Sequence, residues 1–145
     1  MNCYIDSSFL AKLYYPEEGS QKLADWITRQ RAPILFSSLH ELELKNAFSL
    51  KAFRREITDR QKEEVFRLID NDVEKGVLRR LYPDWSGVFL KAIGISKKYT
   101  LKTGARSLDV LHVAVAVSSK CTHFLSNDER QTQIAGKTGL SVLKL

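Results

Sequence analysis

The sequence predicts an α/β fold in which a parallel sheet is covered by helices on both faces, and three observations point there. Short apolar runs alternate with longer segments of helical periodicity along the whole chain. The segment Ser107 to Ser119 is apolar nearly all round, as a helix buried between other elements would be. No internal repeat, low-complexity tract or Pro/Gly-rich linker divides the 145 residues, so a single domain spanning 1–145 is expected. A chain of this length buries roughly 68 to 70% of its unfolded surface.

Taken in order, Asn2 to Ile5 reads as a short strand and Ser7 to Tyr15 as a helix stopped by Pro16, since the residue before proline disfavours helical backbone. Gly19 to Gln30 suits a second helix. Pro33 precedes a strand at Ile34 to Ser37, and a long helix follows from Ser38 to about Arg54. Thr58 to Lys75 suits a further helix with a mostly acidic outer face. Val77 to Leu81 is a strand, after which Pro83 and Asp84 open a helix through Trp85, Val88, Phe89, Ala92 and Ile95. Thr100 to Arg106 reads as a basic, glycine-containing loop before the apolar helix. Thr122 to Leu125 and Leu140 to Leu143 are closing strands, with a helix from about Asn127 to Gly136 between them.

The formal net charge is +6, from 23 Lys and Arg against 17 Asp and Glu. The excess is regional. Residues 75–106 carry Lys75, Arg79, Arg80, Lys91, Lys97, Lys98, Lys102 and Arg106 against the single acid Asp84. Such a field suits a polyanion, although a charge run alone also describes a solvated face. Cys3 and Cys121 lie in apolar strand-like segments without metal-ligand spacing, so buried free thiols in a reducing compartment are expected. The opening MNCYIDSSFL carries no charged leader, and the longest apolar run, Val110 to Val117, is far short of the ~20 residues a membrane span needs. The reading is a soluble, cytoplasmic protein with no membrane partner.

Asp6, Glu43, Asp109 and Asp128 each fall where a strand ends or a helix begins. Singly, each has a capping or first-turn explanation. Together, acids placed after successive strands of an open α/β sheet converge at its carboxyl edge. Clustered carboxylates repel, and a hard divalent cation, Mg²⁺ or Mn²⁺, relieves that repulsion and suits phosphate chemistry. Glu43 is separated from Glu41 by two residues, about 200° around a helix. It shares an arc with Leu39, Asn46, Ala47 and Leu50, expected to pack on the sheet, whereas Glu41 is expected at the surface beside Leu44 and Phe48. Leu44 and Phe48 are read as an interface stripe or as packing against a neighbouring helix. His112, one turn beyond Asp109, is read as a structural core residue. Trp26, Trp85, Tyr14 and Tyr15 show no spacing for a base-stacking platform.

The order and context of these residues resemble a known family. YIDSSFLAKLY resembles the opening strand and helix of PIN-domain nucleases, with Asp6 as first acid. SSLHELELKNAF resembles their second motif, a serine followed six residues later by glutamate, here Ser37 and Glu43. RSLDVLHVAVAV resembles the third through Asp109 and His112, and THFLSNDERQTQIAGKTGLSVL the closing hydroxyl-x-Asp motif through Ser126 and Asp128. Serine replaces the common threonine at 126. Gln131 and Thr132 supply no acid after Asp128, with Glu129 a weak reserve.

The resemblance covers nearly the whole chain, at the size of VapC-type toxins of toxin–antitoxin pairs. It implies a PIN-like three-layer α/β/α sandwich with a central, mainly parallel sheet of four to five strands. It also implies a metal-dependent endoribonuclease whose catalytic and metal-binding residues are Asp6, Glu43, Asp109 and Asp128, with Mg²⁺ or Mn²⁺ as cofactor and 3′-hydroxyl and 5′-phosphate products. Ser7 and Ser126 are supporting residues, and Arg106 and Lys102 are the expected contacts to the RNA backbone. A small cognate antitoxin and a homodimer are the implied partners. The alternative is a catalytically weak PIN-fold module that binds RNA or regulates. A haloacid dehalogenase-type phosphatase is disfavoured because position 8, where its second Asp would stand, is Ser8. A phosphoacceptor receiver is disfavoured because no acidic pair precedes a separate Asp in the required order.

Overall fold

A computed structural model describes residues 1–145. The chain forms two compact units, one of residues 1–6 and 82–144, the other of 7–81 with Leu145. All strand pairs are parallel, and the five strands hydrogen-bond as a set of three and a set of two.

In the first unit, β1 (Cys3–Ile5) pairs with β4 (His123–Leu125), and β4 with β5 (Ser141–Leu143). The register sets Ile5 opposite Leu125, and Asp6 N–H continues the ladder to the Leu125 carbonyl at 3.1 Å. Tyr4, Phe124 and Leu125 are fully buried. The crossovers are helical, as parallel strands require: α5 (Trp85–Thr103) and α6 (Ser107–Ser118) precede β4, and α7 (Glu129–Lys137) joins β4 to β5. Every residue of α6 from Val110 to Ala116 is buried, in keeping with its continuous apolar character. Each such Val or Leu contributes roughly 1.5 to 3 kcal/mol relative to exposure.

Helix α5 runs further than its sequence suggests. The expected loop from Thr100 is instead the last helical turn, and only Gly104, at φ 67°, ends it by returning its N–H to the Thr100 carbonyl at 2.8 Å. Nothing before Gly104 breaks the helix, and glycine alone takes the left-handed backbone without strain. Lys102 therefore sits on a helix, near the terminus whose dipole favours a cation.

The second unit begins with the four-residue α1 (Ser7–Leu10), which tightens into a 3₁₀ turn over Ala11–Leu13 instead of continuing to Tyr15. Short pieces before a proline commonly end this way. Next come α2 (Ser20–Gln30), β2 (Ile34–Phe36), α3 (Ser38–Phe53), α4 (Asp59–Glu74) and β3 (Leu78–Arg80). Strand β2 pairs with β3, Phe36 opposite Arg80, and Leu81 N–H donates to the Phe36 carbonyl at 2.7 Å. Ser37 caps α3 through a capping box whose third residue is His40 instead of the usual acid or amide: Ser37 Oγ accepts from His40 N–H, and His40 Nδ1 accepts from Ser37 N–H.

The face of α3 that packs inward carries Leu39, His40, Leu44 and Phe48, while Asn46, Ala47 and Leu50 are exposed. Of the arc expected to pack with Glu43, only Leu39 is buried. At 100° per residue, Glu41 and Glu43 lie on opposite margins of the buried face, and both are half-buried. Leu44 and Phe48 are buried within the chain at 1% exposure each, which removes them as interface residues. No helix is long and apolar enough to cross a membrane.

Candidate functional site

Three of the four acids belong to the first unit. Asp6 follows β1 directly and is buried, and its Oδ2 lies 2.9 Å from the Ser126 hydroxyl at the end of β4. Ser126 is buried too, accepts the Asp128 N–H at 3.0 Å, and stands 2.7 Å from the side-chain carboxamide of Gln131. Asp128 caps α7, its Oδ1 accepting the Gln131 N–H at 3.0 Å, and is otherwise exposed. Asp109, in the first turn of α6, accepts the Arg106 N–H on Oδ2 at 3.2 Å. Three adjoining elements therefore deliver the carboxylates, and each acid also performs a local structural task.

Burial raises the pKa of Asp109 above the usual carboxylate value, and the negative charge of Asp128 adds to the rise. The Arg106 N–H, His112 and the Arg106 charge pull the other way without cancelling it. The balance is that of a carboxylate short of positive partners. Oxygen donors under mutual repulsion fit a hard divalent cation. They do not form a ready ligand cluster: no group of three or more His, Cys, Asp or Glu side chains is disposed to hold a metal ion. Capping bonds and mutual repulsion give the side chains other engagements, so an ion would have to draw them from these.

Glu43 lies in the second unit, where its Oε1 accepts the Ser7 hydroxyl at 3.0 Å. Ser7 is buried and follows Asp6 in the chain. Ser7 and Ser126 thus each hydrogen-bond a carboxyl group. Glu41 is no free surface residue. It accepts from Lys45 at 2.9 Å and from Arg80 at 3.0 Å, and Lys45 reaches Asp70 at 2.7 Å. Burial opposes its ionisation, but Lys45 and Arg80 outweigh that and hold its carboxyl below the usual range. Arg106 and Lys102 are exposed, with Arg106 at the N-cap of α6 beside Asp109.

His112 is a core residue: it is buried, and its Nδ1 lies 2.6 Å from the buried Tyr4 hydroxyl, whose ring stacks on Phe124. Tyr4 and Gln131 are participants that the motif spacing does not mark. Neither cysteine is in a disulfide, and burial with the nearby Cys121 pushes the Cys3 thiol up to about 12, which removes it as a nucleophile.

The PIN domain family model matches residues 3–137. No curated protein sequence matches the chain. Among solved structures, the chain is similar to one in VapBC2 from Rickettsia felis bound to a DNA fragment from its promoter, with TM-score 0.67 and 14% identity over 99% of this chain and 98% of the other. It is also similar to a chain of FitAcB from Neisseria gonorrhoeae, with TM-score 0.62 and 13% identity over 98% and 96% of the two chains. At these identities the likeness is one of fold. With 135 of its 145 residues spanned by the family model, the chain belongs to the PIN domain family of nucleases.

Proposed function

We propose that the chain, acting as one domain, is a Mg²⁺- or Mn²⁺-dependent endoribonuclease and the toxin of a cytoplasmic toxin–antitoxin pair. The observation that carries the reading is the placement of Asp6 after β1, Asp109 in the first turn of α6 and Asp128 at the cap of α7, in a chain whose family is one of nucleases, and the rise in the Asp109 pKa caused by burial and by the charge of Asp128 agrees with it. Asp6, Asp109 and Asp128 would hold the ion. Glu43, tied to Ser7 directly after Asp6, is the fourth carboxylate of the proposal.

The chemistry supplied by a bound divalent ion is Lewis acidity toward a phosphoryl oxygen and acidification of the attacking water. The chain's own residues do the rest. Ser126 and Ser7 fix the orientations of Asp6 and Glu43, and the Arg106 guanidinium and Lys102 ammonium bind and orient the RNA phosphates. No histidine acts as base, because His112 is engaged with Tyr4 in the core.

The fold-level likeness to chains of VapBC2 and FitAcB supports a small antitoxin as partner. With Leu44 and Phe48 buried, a homodimer or an antitoxin has to use other surface. Phe89 and Ile93 of α5 and Leu108 of α6 are exposed around an apolar groove of about 370 Å³ that offers such a face.

The test is cleavage of RNA by the purified protein with Mg²⁺ or Mn²⁺ and with chelator, for the native chain and for Asp6→Asn and Asp109→Asn. Metal-dependent cleavage lost in both folded variants supports the reading. Cleavage that survives chelation in a folded double variant overturns it. The alternative is a catalytically weak RNA-binding or regulatory module, and RNA binding without metal-dependent cleavage would establish it.

A further inference from the structure

We propose that Gln131 is a positioning residue that acts through Ser126 on Asp6, its carboxamide N–H donating to the Ser126 hydroxyl, which in turn donates to the Asp6 carboxylate. The argument is one of hydrogen count. Ser126 Oγ has three polar neighbours: the Asp128 N–H at 3.0 Å, Asp6 Oδ2 at 2.9 Å and the Gln131 carboxamide at 2.7 Å. A hydroxyl has one hydrogen to donate and two lone pairs to accept with.

With Gln131 Oε1 facing Ser126, both Asp6 and Gln131 demand the single hydrogen, and one contact becomes a close approach of two acceptors. Asp6, Ser126 and Gln131 are 4%, 4% and 1% exposed, so water cannot relieve it. Turning the carboxamide by 180°, which exchanges two atoms of nearly equal size, removes the conflict. Ser126 then accepts from Asp128 N–H and Gln131 Nε2 and donates to Asp6, and its capacity is filled.

The relay gives Asp6 a hydrogen bond on Oδ2 and fixes the plane of its carboxyl group. Gln131 sits three residues beyond the α7 cap, where its backbone N–H already serves Asp128. One residue thereby holds two of the acids, by its backbone and by its side chain. The effect on metal binding rests on the proposed role of Asp6 as a ligand, whereas the direction of the relay does not.

The experiment has two arms. In the metal-free native protein at pH 7, nuclear Overhauser contacts from the Gln131 side-chain NH₂ to the Ser126 β-protons are expected. Their absence, with the NH₂ turned away from Ser126, overturns the relay whether or not the protein binds metal. In the second arm, Mn²⁺ affinity is measured by calorimetry for Gln131→Met in the native and in the Ser126→Ala backgrounds, with thermal melts to verify folding. The expected loss is about tenfold in the native background, in the range of outer-shell substitutions, and under about twofold once Ser126 is alanine. Ser126→Thr, which keeps the hydroxyl, is expected to retain the native affinity. An equal loss in both backgrounds means that Gln131 acts by packing and overturns the relay. If the native chain binds no Mn²⁺, the proposed function fails while the nuclear Overhauser arm still judges the relay, as it does if Gln131→Met fails to fold.

Discussion

The Ser7 hydroxyl donates to Glu43 Oε1 at 3.0 Å, joining the residue after the first strand's acid to the acid of the third helix. This bond, and not burial on a packing face, distinguishes Glu43 from Glu41. Glu43→Gln is expected to lower RNA cleavage by at least tenfold and to weaken Mn²⁺ binding, with little change in melting temperature. Ser7→Ala should lower activity less, since it removes the bond that orients Glu43 and leaves the carboxyl group itself in place. Cleavage rates and calorimetry on the two variants check this, and undiminished activity in Glu43→Gln would remove Glu43 from the site.

Glu41→Gln should behave in the opposite way, keeping its activity and losing stability. Its depressed carboxyl pKa makes the contribution present above the unfolded value and lost as the pH falls through the folded one. The cluster with Lys45 and Arg80 is partly exposed, so the expected cost at pH 7 is about 0.5 to 1 kcal/mol. Urea melts at pH 7 and at a pH below both values should show the difference shrinking to nothing. A large activity loss in Glu41→Gln would mean that the roles of the two glutamates are exchanged.

Asp109 carries the reverse sign. Its raised pKa means that the folded state holds its proton more tightly than the unfolded chain, so stability from this group is full below the unfolded value and lost as pH rises through the folded one. Asp109→Asn should therefore raise the melting temperature of the metal-free protein at pH 7 and have no such effect below the unfolded value. Saturating Mn²⁺ should stabilise the native protein and not the variant. Equal stabilisation of both by Mn²⁺ would place the ion elsewhere.

The order of elements and the positions of Asp6, Asp109 and Asp128 were legible because local rules govern them: strand ends, first helical turns and caps. The face of α3 was not. Leu39, Leu42, Leu44, Phe48, Leu50 and Phe53 spread around that helix, so periodicity alone left its phase ambiguous, and the structure buries Leu39, His40, Leu44 and Phe48 while exposing Leu42, Leu50 and Phe53. Gln131 was passed over because its sequence position offered no acid. Its part depends on a side-chain contact across the turn from Ser126 to α7, and that is a property of the fold.

Tyr4 and His112 meet across 108 residues, which no local pattern can signal. Tyr4→Phe keeps the ring that stacks on Phe124 and deletes the 2.6 Å bond to His112. The expected cost is about 1 to 3 kcal/mol, as for a buried polar pair that loses one partner. Chemical denaturation measures it, and activity per folded molecule should change little. A stability loss near zero would show that the buried pair contributes nothing net.

Substrate binding should depend on the two exposed cations that precede the third acid in sequence, Lys102 on the last turn of α5 and Arg106 at the cap of α6. Residues 75–106 carry eight basic side chains against one acid, so RNA is expected to be held there by its phosphates. Phosphate contacts release condensed counterions, and affinity for single-stranded RNA should fall with salt at a logarithmic slope of about −0.7 per neutralised phosphate. In an Asp109→Asn background, which prevents turnover, replacing Lys102 and Arg106 with alanine should weaken binding to unrelated sequences alike and make the slope shallower by about 1.4, twice the single-contact value. The Arg106 backbone N–H to Asp109 survives that change, so Mn²⁺ affinity, measured with Asp109 intact, should stay nearly constant. If RNA affinity and slope are both unchanged, the basic segment is a solvated face or a partner surface, and the substrate approaches the carboxylates from elsewhere.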